Sequence, residues 1–248
     1  MPVDNFFRSA RRWPKRIAVE KLENGGIQKI PYEDLAQTVN ALAAALQAID
    51  PEPQSRVGIC AYNNYEHLVA WLATYAAGKV WVPLNPRNGI EELDRIIALT
   101  EPSIIFVEGN CLDKFGAVDA ALIGTKKTGS TARLEVWIAD IIEQHKGKEP
   151  KRHKLAGDDL QAIKFTGGSS GIPKGVMQTY RVFNCCIATM LVSYEFSGQD
   201  RHLIAAPMTH GANTIILPIF AVGGTQLFID QTSPSTVSYT HLTLPTKA

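Results

Sequence analysis

Short apolar runs alternate with helix-like stretches between residues 57 and 107. The runs at 57–60, 80–82 and 104–107 are continuous and apolar, as is typical of strands buried on both faces of a sheet. The stretches between them place apolar residues three and four positions apart, the spacing of one helix face. Since strands that alternate with helices usually pair in parallel, this region predicts an α/β fold with parallel β-sheets flanked by helices.

The remaining elements are predicted from the same periodicities and from turn residues. Helices are predicted at 5–13, 31–49, 182–191 and 215–220, and strands at 17–22, 27–30, 160–165, 202–205 and 225–229. Asn24-Gly25-Gly26 separates the first two strands and predicts a hairpin. The pattern is weakest between 112 and 145, where it predicts two helical pieces, 112–123 and 134–145.

A glycine- and serine-rich segment follows the apolar run that ends at Phe165. It reads Thr-Gly-Gly-Ser-Ser-Gly-Ile-Pro-Lys-Gly over residues 166–175. Glycines leave backbone N–H groups unshielded, so such a loop can fold them into a concave nest for an anion. Lys174 adds a positive charge at its far end, and the segment therefore predicts a phosphate-binding loop. It is not a Walker P-loop, because Lys174 lies between Pro173 and Gly175 and lacks the adjoining Ser or Thr.

Residues 167–171 also satisfy the pattern G-x-S-x-G of serine hydrolases, with Ser169 as the nucleophile. Asp200 and His210 follow in the chain order that such a triad requires. The motif needs a helix that runs on directly from the serine, and Pro173 would remove a backbone N–H group from its first turns. A serine hydrolase is the alternative that this pattern leaves open.

The loop resembles the phosphate loop of the adenylate-forming superfamily, which includes acyl-CoA synthetases, luciferases and the adenylation domains of peptide synthetases. That loop runs Thr/Ser-Ser-Gly-Thr/Ser-Thr/Ser-Gly-x-Pro-Lys-Gly after a strand. The matching positions are Thr166, Gly168, Ser169, Ser170, Gly171, Pro173, Lys174 and Gly175, and Gly167 replaces the usual serine. Residues 77–86 also resemble the corresponding region of acyl-CoA synthetases. The resemblance implies that residues 1–235 are an incomplete N-terminal domain of the adenylate-forming fold, a partial AMP-binding (adenylation) domain.

The same resemblance implies an activity and its cofactors. An acyl-CoA synthetase is an ATP-dependent acid–thiol ligase that activates a small carboxylic acid as an acyl-adenylate and transfers it to coenzyme A. Mg²⁺ accompanies the ATP, and members of this type often serve fatty acid metabolism. Two further possibilities stay open: a peptide-synthetase-type adenylation domain, and a nucleotide-binding fragment without turnover.

Site residues follow from the resemblance position by position. The ATP phosphates would be held by Thr166, Gly167, Gly168, Ser169, Ser170, Gly171 and Lys174, with Thr166 also at the metal. Residues 207–210 read Pro-Met-Thr-His and resemble the family motif Pro-Met/Leu-x-His, whose histidine lies near the carboxylate and the α-phosphate. His210 is therefore the catalytic candidate. The candidate substrate-binding residues are His210, Gly211, Asn213 and Thr214.

Composition narrows the class of protein. The formal net charge is +1, so nothing favours a nucleic-acid partner. No apolar run is long enough for an integral membrane segment. The four cysteines show neither paired spacing nor a metal-ligand pattern, and together with the lack of a signal-peptide pattern they favour a cytoplasmic location.

The last residues differ in character from the rest. Residues 237–246 read Val-Ser-Tyr-Thr-His-Leu-Thr-Leu-Pro-Thr, which resembles one translated reading frame of a transposon-type sequencing adapter. We therefore expect residues 236–248 to be a non-native, adapter-derived tail. The family's magnesium-binding glutamate, ribose-binding aspartate and C-terminal lysine are not found in this chain, and we expect the chain by itself to be inactive.

Overall fold

A computed structural model describes residues 1–23, 26–128, 133–166 and 174–229. The predicted tail and the loop at 167–173 lie outside these residues. The helices are α1 (Asp4–Arg12), α2 (Tyr32–Ile49), α3 (Tyr65–Ala76), α4 (Ile90–Thr100), α5 (Ile138–Gln144), α6 (Tyr180–Ser193) and α7 (Asn213–Ala221). The strands are β1 (Ile17–Glu23), β2 (Gly26–Pro31), β3 (Arg56–Cys60), β4 (Val80–Pro83), β5 (Ile104–Val107), β6 (Ala121–Gly124), β7 (Leu160–Thr166), β8 (Lys174–Thr179), β9 (Arg201–Leu203) and β10 (Thr225–Ile229).

The larger sheet has the strand order β6-β5-β3-β4-β7-β8. β3 pairs in parallel with β4 on one side and with β5 on the other, so that Gly58 lies opposite both Val82 and Ile105. This arrangement confirms the parallel strand–helix–strand unit predicted for residues 57–107. Only the last pair of the sheet, β7 with β8, is antiparallel.

Both faces of β3, β4 and β5 are buried, which explains why these central strands are largely apolar. In β5, Ile104 and Phe106 face the large core that also holds α2 and α3, whereas Ile105 and Val107 face a smaller cluster under α4. Trp81 of β4 is fully buried in the large core. Parallel sheets need such cover on both sides, because water would otherwise reach their apolar faces.

The smaller sheet joins the two ends of the described chain. Its order is β2-β1-β10-β9; β1 and β2 form the predicted hairpin, and β10 lies parallel to β1. Phe6 of α1 packs on Tyr32 and on Phe220 of α7, with ring centroids 6.1 and 5.1 Å away. The Tyr32 hydroxyl donates a hydrogen bond to the Gly224 carbonyl at 2.6 Å. These contacts fix the position of α7, whose first residues, Asn213 and Thr214, belong to the candidate site.

Two sequence-based assignments need correction. Residues 112–123 are not helical throughout: a 3-10 helix covers Gly109–Lys114, and β6 then pairs in parallel with β5. The four residues of β6 are apolar or small, and so short a run cannot show a helical or strand periodicity. Pairing with β5 therefore decides their structure. Of the second piece, 134–145, only α5 is α-helical. The strand β8 was not predicted at all.

All four cysteines are free; Cys60 and Cys111 are buried, whereas Cys185 is exposed on α6. Among the helices that the structure describes, none is both long and apolar enough to cross a membrane.

Candidate functional site

The glycine-rich loop connects two antiparallel strands. β7 ends at Thr166 and β8 begins at Lys174, and these two residues lie opposite each other in the ladder. Opposed Cα atoms in such a ladder are about 5 Å apart. The side chains of Thr166 and Lys174 therefore extend from neighbouring backbone positions. Both residues are exposed. The predicted phosphate-binding residues Gly167, Gly168, Ser169, Ser170 and Gly171 lie outside the described residues.

The hairpin does not fit a serine hydrolase. A nucleophile elbow passes from a strand directly into a helix, but the element after this loop is the strand β8. The second triad candidate, Asp200, accepts a hydrogen bond from the Ser197 N–H at 2.6 Å. Within the described part of the chain no hydrogen bond joins Asp200 to His210. The elements described on either side of the loop therefore do not support the hydrolase alternative.

The segment of His210 follows β9 and is fixed by Asn63. The Asn63 Oδ1 atom accepts from the Met208 N–H at 2.8 Å, and its Nδ2 atom donates to the Ala206 carbonyl at 2.8 Å. Asn63 comes three residues after β3, so it fastens this segment to the carboxyl edge of the larger sheet. Met208 is buried, whereas the His210 ring is exposed.

Asn213 holds the same segment from its other end. This residue is buried at the start of α7, and its Nδ2 atom donates to the carbonyl oxygens of Met208 (3.1 Å) and His210. Its Oδ1 atom accepts from the Lys164 Nζ atom at 2.8 Å. Lys164 lies on β7, two residues before the glycine-rich loop. The structure therefore joins β7, the strand before the glycine-rich loop, to the segment of His210.

Gly211 and Thr214 complete the predicted substrate residues. The Thr214 Oγ1 atom donates to the Gly211 carbonyl at 2.6 Å and thereby closes the turn into α7. A Cβ atom added at Gly211 would meet only the Ala206 Cβ atom, at 3.7 Å, among the described residues. That distance is an ordinary van der Waals contact, so a side chain can project from this position.

A small pocket of about 90 Å³ lies between the β7–β8 hairpin and the helices α6 and α7. Its lining residues are Lys164, Gln178, Val182, Phe183, Cys186, Ile187, Asn213, Thr214 and Leu217. Of the predicted substrate-binding residues, Asn213 and Thr214 line this pocket, whereas His210 and Gly211 do not. Burial lowers the pKa of Lys164 to about 8. Sequence reasoning missed this residue, although a lysine inside an apolar strand is itself a signal.

A larger cleft of about 580 Å³ opens at the carboxyl ends of β3, β4 and β5. Ligands of open parallel sheets bind at this edge, where the strand order reverses. Glu108 is buried at its floor, and its Oε2 atom accepts from the Tyr62 N–H and from the Asn64 Nδ2 atom, both at 3.0 Å. Thr209 lines this cleft. Residues before His210 thus border the cleft, and residues after it border the small pocket.

The donor set suits a phosphate better than a bare metal ion. No group of three or more His, Cys, Asp or Glu side chains in the described part of the chain could hold a metal. The Thr166 hydroxyl is a hard oxygen ligand of the kind that Mg²⁺ accepts, and Mg²⁺ is usually bound by one or two protein groups plus substrate phosphates. A magnesium ion would therefore fit here only together with the nucleotide.

Comparison with known proteins agrees with this geometry. A profile of the family described as "AMP-binding enzyme" matches residues 6–243. Feruloyl-CoA synthase from an Amycolatopsis species is 30% identical over 232 residues, 93% of this chain and 44% of that protein. Phosphinothricin tripeptide synthetase PhsC from Streptomyces viridochromogenes is 30% identical over 173 residues, 70% of this chain and 15% of that protein.

Solved structures share the fold. ATP-bound MatB from Rhodopseudomonas palustris superimposes with a TM-score of 0.79 and 25% identity, over 96% of this chain and 47% of that one. This chain thus spans less than half the length of the feruloyl-CoA synthase and MatB that it matches. Since the family profile covers nearly all of the sequence and the fold agrees with it, the chain belongs to the AMP-binding enzyme family.

Proposed function

We propose that residues 1–235 are the first part of an ATP-dependent ligase that activates a small carboxylic acid as an acyl-adenylate and transfers it to coenzyme A. One observation carries the proposal: the 2.8 Å hydrogen bond from Lys164 to Asn213. It fastens the segment of His210 beside the strand that leads into the glycine-rich loop. Adenylation requires a carboxylate and a triphosphate to meet, and this bond supports adjacent binding sites for the two.

In this proposal the loop residues bind the phosphates that leave as pyrophosphate. The residues concerned are Thr166, Gly167, Gly168, Ser169, Ser170, Gly171 and Lys174. Glycines allow close approach of the backbone, and Lys174 stabilises charge that develops on the leaving group. Thr166 would hold Mg²⁺ together with the phosphates, and the ion would supply further charge neutralisation. His210 would orient the attacking carboxylate, so that the two anions are held in reacting geometry.

The acyl acceptor is a separate part of the proposal. Feruloyl-CoA synthase and the peptide synthetase are relatives of similar identity, so a carrier-protein acceptor is the alternative to coenzyme A. A role in fatty acid metabolism and a cytoplasmic location belong to the same proposal.

The adapter origin of residues 236–248 also stays a prediction, because the family profile extends to residue 243.

Acid-dependent exchange of pyrophosphate into ATP tests the first half-reaction. We expect exchange from the protein extended through the region in which its relatives continue, with a panel that includes ferulate, octanoate and glutarate. The 248-residue chain alone should show none. The ligase proposal fails if the extended protein exchanges with no acid while a fluorophosphonate probe labels Ser169. Strong exchange by the 248-residue chain would refute only the expected inactivity.

Two substitutions in the extended protein should separate phosphate binding from acid recognition. Lys174→Ala should slow adenylation about ten- to a hundredfold for every acid, because a charge-assisted contact to phosphate is worth about 1.5–3 kcal/mol. The ranking of acids should stay the same, since Lys174 lies at the end of the glycine-rich loop. Exchange rates measured for each acid at saturating ATP provide the test.

Gly211→Leu is the matching substitution among the residues proposed to recognise the acid. Open space beside Gly211 allows the longer side chain to project, so we expect it to penalise bulky acids more than short ones. Gly211→Ala is the control, because its Cβ atom makes only an ordinary contact. If Lys174→Ala changes the ranking of acids while Gly211→Leu slows adenylation of all acids equally, then the assignment of phosphate binding to the glycine-rich loop and of acid recognition to the segment of His210 is wrong.

A further inference from the structure

The small pocket contains a cation without an anionic partner. Lys164 is the one charged side chain among its described lining residues, and the walls beside it are apolar. Its Nζ atom lies 5.3 Å from the ring centroids of both Trp81 and Phe183. No carboxylate in the described ranges lies within ion-pair distance of it. Lys164 is half-buried, and an ammonium that is partly withdrawn from water is costly unless it is paired, so this arrangement favours the binding of an anion.

Lys164 has hydrogen-bonding capacity to spare. Its ammonium group carries three N–H donors, and Asn213 is the hydrogen-bond acceptor that the described residues provide. The other two donors can reach a ligand. Both aromatic rings stabilise the positive charge without using a donor, because a cation is attracted to the face of an aromatic ring.

Gln178 offers a second polar group on the same side of the hairpin. It lies opposite Ala162 in the ladder, two residues from Lys164 along β7, so that Gln178 and Lys164 are diagonal neighbours on one face. Gln178 also lines the pocket, and its Oε1 atom is buried with no hydrogen-bond partner among the described residues. Rotation of the Gln178 amide by 180° would exchange its oxygen and its NH₂ group. The NH₂ group would then occupy the buried position of Oε1 and could donate a hydrogen bond to a ligand.

We propose that Lys164 and Gln178 bind a second carboxylate, so that the acid activated at this site is a short dicarboxylic acid. This inference rests on the proposed ligase function. Along β7, Lys164 and Thr166 are about 7 Å apart, at roughly 3.3 Å per residue. A dicarboxylate of roughly five carbons spans a comparable distance, with one end at Lys164 and the other beside Thr166 at the end of β7.

Binding without ATP tests the inference on the 248-residue chain itself. Glutarate and pentanoate have the same chain length but differ in the second carboxylate, and isothermal titration gives the two dissociation constants at pH 7. We expect glutarate to bind about ten- to a hundredfold more tightly, the range for a charge-assisted hydrogen bond. Lys164→Met should abolish this preference, whereas Lys148→Met, which removes an exposed lysine, should leave it unchanged.

The outcomes separate this inference from the ligase proposal. Equal affinity for the two acids, no measurable binding of glutarate, or a preference that survives Lys164→Met would each overturn the dicarboxylate assignment. None of these results depends on ATP or on turnover. Conversely, if glutarate binds as expected but the extended protein exchanges pyrophosphate with no acid, the binding site stands and the ligase function fails.

Discussion

Replacing Trp81 with alanine should lower the free energy of unfolding by about 3–5 kcal/mol, the usual cost of truncating a buried aromatic residue. The indole is fully buried and lies 5.9 Å from Trp71 and 6.4 Å from Tyr75, both edge-on. Its removal would leave a cavity that these rigid rings cannot fill. The loss should appear as a lower urea midpoint in equilibrium unfolding, with little change in the slope.

Two further variants make this measurement specific. The indole Nε1 atom has no hydrogen-bond partner among the described residues, so Trp81→Phe removes an unsatisfied donor and should cost much less than Trp81→Ala. Tyr194→Ala removes a ring that is 62% exposed and should cost about 1 kcal/mol or less. A Trp81→Ala variant that loses no more stability than Tyr194→Ala would contradict the packing described for the large core.

Acidification should destabilise the fold by up to about 3 kcal/mol through His67 alone. Burial lowers the pKa of His67 to about 4, against the opposing hydrogen bonds from its ring to the backbone at Tyr62 and Ala61. Its Nδ1 atom donates to the Tyr62 carbonyl at 3.1 Å, and its Nε2 atom is buried without a partner among the described residues. A second proton would therefore be added at a site that cannot be solvated.

The direction in which the free energy of unfolding changes with pH follows from proton binding to His67 in the folded and unfolded chains. The unfolded chain takes up a proton near pH 6.5, whereas the folded chain resists it down to about pH 4. The contribution of neutral His67 is therefore complete above pH 6.5 and declines as pH falls toward 4. Unfolding free energies measured by urea denaturation at several pH values in this window would give the slope.

Variants assign the slope to one residue. Burial also lowers the pKa of His202, so the wild-type slope has more than one source. His67→Gln can still donate to the Tyr62 carbonyl but does not titrate, and it should flatten the curve between pH 4 and 6.5. His145→Gln changes a ring that is only half-buried and serves as the control. If His67→Gln keeps the wild-type slope, the effect of burial on His67 has been misjudged.

Local pattern was sufficient for the central sheet. β3, β4 and β5 are buried on both faces, so their residues are uniformly apolar, and the helices between them bury one face each. Each element therefore carries its own periodicity, and parallel pairing follows from the alternation. The strand β8 shows the opposite case: Val176 and Met177 are 46% and 69% exposed, so its sequence lacks the apolar run of a buried strand.

The site was predictable only in part. The spacing of glycine, proline and lysine predicts a phosphate-binding loop, and the Pro-Met-Thr-His pattern predicts a role for the segment of His210. Nothing in the sequence relates Lys164 to Asn213, which are 49 residues apart, or Asn63 to Met208, which are 145 apart. Each pair is made by hydrogen bonds whose partners are chosen by the packing of whole elements.

The sequence by itself determined the fold class, the family and the loop that would bind phosphate, because local period and residue type encode these directly. The tertiary structure decided that β10 pairs with β1, that the glycine-rich loop connects two antiparallel strands, and that Lys164 is a half-buried cation without an anionic partner in the described part of the chain. These features depend on which distant segments share one core. Burial and charge pairing are properties of that arrangement, and a strand of one sequence can be exposed or buried according to what packs on it.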